Sequence, residues 1–105
     1  MRETQEQIDT MLNTAGESLN FSGGIIKGIP SQQVYNIQSL SSPYDITKQE
    51  VSFVISQKDF VAQGIVEGTE FTYVLLTKTY TFKVISFLPD FLGWIDLNVY
   101  IKGVV

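Results

Sequence analysis

Cysteine and histidine are both absent from the 105 residues. Without them there is no His–Cys zinc site, no disulfide framework and no thiol nucleophile. A Ser–His–Asp triad cannot be assembled, and no side chain titrates near neutral pH unless its pKa moves a long way. Charge is scarce as well: 17% of the residues are Asp, Glu, Lys or Arg, where soluble domains carry about 25%. Seven basic residues against eleven acidic ones leave a net charge of −4. That balance works against phosphate binding, which rests on clustered positive charge. The longest apolar run is Tyr73 to Leu76, far short of the roughly 20 residues of a membrane-spanning helix, so no membrane partner is expected. The opening Met-Arg-Glu-Thr-Gln-Glu carries no apolar signal core. These gaps predict a non-enzymatic protein made in the cytoplasm, without catalytic residues, cofactor or metal.

What is present is apolar bulk, 44% of the chain. At this length one domain spanning residues 1–105 is expected, burying roughly 65% of the surface its unfolded chain exposes. With so few charges outside, part of the surface is expected to be covered by other copies or partners.

Ile8, Met11, Leu12, Ala15 and Leu19 recur at helical spacing, predicting an amphipathic helix over about 4–19. Thr4 is a candidate cap with Gln7 three positions on, and Gly16 weakens the last turn. The acid gathers here: Arg2 stands against Glu3, Glu6, Asp9 and Glu17. Phe21-Ser22-Gly23-Gly24 reads as a turn, and Ile25, Ile26 and Ile29 as a short strand ended by Pro30.

Ser31–Lys48 then reads as a long internal loop, rich in Ser and Gln and charged only at Asp45 and Lys48. Loops beyond about 12–15 residues are uncommon in compact domains unless they are functional or disordered. This one carries Val34, Tyr35, Ile37, Leu40, Tyr44 and Ile46, more apolar bulk than a linker needs. These six are the candidate assembly residues; the plainer alternative is a loop folded over its own core, with a strand near Val34–Ile37.

Residues 49–102 read as β. Val51, Phe53 and Ile55 form one strand, 58–64 a helical connection, and Glu67-Gly68-Thr69 a turn into Phe71, Tyr73 and Leu75. Thr77-Lys78-Thr79 is a candidate hairpin tip before Tyr80, Phe82 and Val84, and Pro89–Gly93 turns the chain again. Ile95, Leu97, Val99 and Ile101 then alternate with Trp94, Asp96, Asn98, Tyr100 and Lys102. Short strands at regular spacing predict a mainly β fold, a small antiparallel β-barrel or sandwich with one helix.

The chemistry available is thin. Gly23 to Gly28 is Gly-rich but fits neither the dinucleotide fingerprint nor the phosphate loop. Asp90 and Asp96 resemble a carboxylate pair, although Asp in a turn is an ordinary occurrence. Tyr73, Tyr80, Phe82 and Lys83, with Lys78 nearby, would make a base-stacking face if they lay outside; a small nucleic-acid-binding β-barrel is therefore one alternative.

The order of pieces carries a resemblance. Gly23-Gly24 opens an early strand, and a long loop leads to Phe53-Val54-Ile55 and the connection through Asp59. Val66-Glu67-Gly68-Thr69 and Tyr80-Thr81-Phe82-Lys83-Val84 follow, then Pro89-Asp90, Gly93 and Ile95-Asp96-Leu97. In this layout the chain resembles the lambda-type head–tail joining (head-completion or stopper) proteins of long-tailed bacteriophages. The resemblance implies a virion neck protein with a small barrel and one helix. It would form a homo-oligomeric ring of roughly six or twelve copies between a portal-side adaptor protein and the tail terminator or tail tube. Packaged DNA would pass through or be retained without specific binding, and the loop at Ser31–Lys48 would take part in assembly. A tail terminator or tail-completion ring subunit is the neighbouring alternative.

Overall fold

A computed structural model describes residues 5–36, 49–75, 77–89 and 92–105. Helix α1 (Gln5–Ala15) is followed by β1 (Glu17–Phe21), β2 (Gly24–Pro30), the short helix α2 (Gln32–Asn36) and β3 (Glu50–Ser56). Helix α3 (Gln57–Ala62) leads to β4 (Glu70–Leu75), β5 (Lys78–Pro89) and β6 (Trp94–Val104). The six strands close into an antiparallel barrel in the order β1-β2-β3-β6-β5-β4, so the barrel, not a sandwich, is the form taken.

The predicted helix is shorter than its apolar spacing implied. α1 stops at Ala15, and Gly16 N–H closes its last turn by donating to Leu12 O at 2.8 Å. A side chain at Gly16 would sit 2.4 Å from that same carbonyl, so only glycine fits. Leu19 is therefore not on the helix face; it lies in β1, where it and Phe21 point into the barrel. Of the predicted stripe, Ile8 and Leu12 are the buried members within α1, while Met11 is 47% exposed and Ala15 is exposed.

Inside the barrel the alternation read from the sequence holds. Val51, Phe53 and Ile55, Phe71, Tyr73 and Leu75, Tyr80, Phe82 and Val84, and Ile95, Leu97, Val99 and Ile101 all point inward. Phe53 sits at the centre of the aromatics, edge-on to Phe82 at 5.1 Å, Phe71 at 5.4 Å and Tyr73 at 5.8 Å. Such edge-to-face pairs put the positive ring edge against the negative face.

A second, smaller cluster lies on the outer surface. Ile8 and Leu12 of α1 pack on Trp94, with Ile29 and Val54 beside them. Those three barrel residues come from β2, β3 and β6, neighbours in the sheet. Trp94 belongs to the outward-facing set of β6 and is nevertheless buried, because α1 covers it.

The ladders differ in length. β5 and β6 pair over nine registered positions and β3 and β6 over seven, whereas β1 and β4 meet only at Asn20–Thr72 and Phe21–Phe71. That two-residue seam is what closes the barrel.

Candidate functional site

Strand β2 enters the region of the predicted loop at Pro30, and the chain immediately forms α2. Ser31 N–H donates to Ser52 O at 3.0 Å, and Val34 N–H donates to Ser31 O at 3.1 Å. These bonds tie the start of the segment to β3, so Val34–Asn36 are helical and the strand expected near Val34–Ile37 does not form there. Val34 is 1% exposed and belongs to the barrel's core cluster. Its apolar side chain serves the fold, which removes it from the accessible assembly residues. Tyr35 lies in α2, and Ile37, Leu40, Tyr44 and Ile46 lie outside the described residues.

The aromatic face proposed for nucleic acid is not on the surface. Tyr73, Tyr80 and Phe82 are each no more than 2% exposed and point into the barrel. Burial pushes the Tyr80 phenol above its ordinary pKa, since the phenolate would lose its hydration. Lys83 remains outside, opposite Glu70 on one side and Tyr100 on the other. The ion pair between Lys102 Nζ and Glu70 Oε2, at 3.0 Å, is solvent-exposed and contributes about 0–1 kcal/mol.

Asp96 is exposed and faces Leu88 across the β5–β6 ladder, and Asp90 lies outside the described residues. Gly23 is explained by structure: Phe21 pairs with Gly24, leaving Ser22 and Gly23 as a two-residue hairpin turn. Among the described residues no group of three or more Asp or Glu could hold a metal ion. No described helix is long and apolar enough to cross a membrane.

What the exterior offers instead is a stretch with few charges. Across β3, β6 and β5, Ser52, Asn98 and Ser86 form a row of small polar groups, Asn98 Nδ2 donating to Ser86 Oγ at 3.1 Å. With Gln33, Glu50, Val51 and Ile85 they line a groove of about 340 Å³. Beyond it the end of β5 exposes Phe87 and Leu88, and Phe87 leans on Phe60 of α3 at 4.8 Å. The sequence reading did not single out this pair. Its signal is the run Val84-Ile85-Ser86-Phe87-Leu88, in which apolar residues stop alternating.

Neither the family models, the curated proteins nor the solved structures contain a match to the chain.

Proposed function

We propose that this chain is a head–tail joining protein of the virion neck, of the lambda-type head-completion or stopper kind. The observation that carries the reading is the small closed barrel with one helix laid on its outside, the fold that the resemblance in sequence layout implies. Two further features support it. The exterior holds few charges and several exposed apolar side chains, among them Ile25, Val74 and Leu88, as a subunit meeting neighbours requires. The net charge of −4 also suits a conduit that lets DNA pass without gripping its phosphates. Copies would form a ring between the portal-side adaptor and the tail, with Tyr35 and Tyr44 anchoring the loop during assembly.

Electron microscopy of the purified protein, alone and with portal complexes, tests this reading. Rings seated on the portal end are expected, and the protein should be found on DNA-filled heads lacking tails. Recovery on tails lacking heads would favour the tail-completion role instead. The loop assignment is tested by Tyr35→Ala with Tyr44→Ala: loss of joining is expected, and unchanged joining removes the loop from the mechanism. The burial of Tyr73, Tyr80 and Phe82 counts against the nucleic-acid alternative, and absence of salt-sensitive binding to single-stranded DNA would close it.

A further inference from the structure

Among the described residues, the second half of β5 is paired on one side only. Strand β4 accompanies β5 as far as Lys83, opposite Glu70. The turn before β4 adds one residue of cover: Val84 N–H donates to Thr69 O, and Val84 O accepts from Gly68 N–H. From Ser86 to Pro89 the ladder continues with β6 alone, from Asn98 to Ile95. Among the described residues, no backbone group bonds this stretch from the opposite side. The register shift between Val84 and Ser86 marks where β5 leaves β4, as an inserted residue bends a strand.

Alternation fixes which groups this edge presents. Val84 gives its N–H and C=O to the 68–69 turn, so the Val84–Val99 pair has no hydrogen bonds of its own. The two kinds of antiparallel pair alternate along β6. Phe87, opposite Leu97, is therefore of the same kind as Val84, and its N–H and C=O face the open side. Pro89 offers only a carbonyl. Leu88 is 66% exposed, and Phe87 is 39% exposed despite its contact with Phe60. No residue from Ile85 to Pro89 is charged, whereas natural sheet edges are commonly guarded by lysine or another charge.

We propose that this edge pairs with the same edge of a second copy, β5 against β5 antiparallel, about a two-fold axis at Phe87. The symmetry uses what the edge has. Each Phe87 N–H donates to the other copy's Phe87 carbonyl, so the donor and acceptor of one residue are both satisfied. The same register sets Ser86 opposite Leu88, small against large, and places no charge opposite like charge. Pro89 falls opposite Ile85 at each end, so the pairing stops there. A two-fold contact of this kind occupies both edges and closes at two copies. It differs from the head-to-tail contacts of a ring and does not rest on the neck reading.

Sedimentation equilibrium from micromolar to millimolar protein tests the inference. The mass should double from 11.8 kDa with rising concentration. Each copy carries −4 while the contact itself is uncharged, so added salt should strengthen the dimer by screening repulsion; an ion-paired interface would weaken. Leu88→Lys, a change at an exposed position, should weaken association about tenfold or more, with circular dichroism reporting an intact fold. The chain has no cysteine, so Phe87→Cys gives a clean second readout that does not depend on Leu88. Mild oxidation should join Phe87→Cys copies covalently, while Val74→Cys, at an exposed position on β4, stays monomeric. A monomer at all concentrations overturns the proposal. So does a dimer indifferent to Leu88→Lys, equal cross-linking of both cysteine variants, or an edge occupied only by a different protein.

Discussion

Gly93 lies against the outer apolar cluster of Ile8, Leu12 and Trp94, and replacing it with alanine tests how tightly that cluster is packed. The residue is buried at the start of β6 with a φ of 98°, where a Cβ atom costs roughly 1–2 kcal/mol. An added Cβ would also lie 2.7 Å from Cδ1 of Ile8. Ile8 is 1% exposed and wedged against Leu12 and Trp94, so it has little room to move, and overpacking of this kind costs about 1–3 kcal/mol. Taking the lower part of that range, Gly93→Ala should lose roughly 2–3 kcal/mol, a fall in Tm of about 10–15 °C for a domain near 100 residues. Urea denaturation followed by fluorescence suits the question, because the single Trp is the next residue. The two contributions separate in a double-mutant cycle. Ile8→Ala alone should cost about 2–5 kcal/mol, but on the Gly93→Ala background the clash is gone, and the double variant should be about 1 kcal/mol more stable than additivity predicts. Strict additivity would refute the packing part, and a Gly93→Ala variant within about 0.5 kcal/mol of wild type would refute both.

Other expectations follow from the interior and the caps. Phe53→Ala empties the centre of the aromatic core and should cost about 3–5 kcal/mol, enough that calorimetry detects a much lower or vanished transition. Ser56 caps α3 by accepting from Asp59 N–H at 3.1 Å; Ser56→Ala should cost about 1 kcal/mol in chemical denaturation. Tyr80 titrates higher in the folded chain than its ordinary value of 10.0. Above about pH 10 the unfolded chain loses this proton first, so the contribution of Tyr80 to stability should be constant below that pH and fall above it. Tyr80→Phe should flatten that alkaline fall, which denaturation at stepped pH would show.

The barrel interior was legible because period two is unambiguous when five residues in a row obey it, as from Ile95 to Val99. Trp94 was not: the pattern assigns it to the outer face, correctly, but says nothing of a helix lying over that face. Leu19 illustrates the opposite failure. Its spacing from Leu12 and Ala15 suits a helix, but the helix stops at Ala15, before Gly16, and the chain is extended from Glu17. Val34 was legible as apolar, but its place in the core was not, since a five-residue helix leaves little periodicity to read. The open end of β5 was hidden because pairing depends on where β4 starts, a relation between residues far apart in sequence. Tyr35 and the apolar residues beyond it were chosen for composition alone, which identifies a segment without giving it a surface.

The two-residue seam between β1 and β4 also has a kinetic meaning. Asn20 and Thr72 are brought together across half the chain, at a loop-closure entropy that the two registered pairs do little to offset. The hairpin of β1 with β2 and the meander of β4, β5 and β6 join near neighbours and form without that cost. Closure is then expected late, and changes at Asn20 or Thr72 should alter the unfolding rate more than the folding rate.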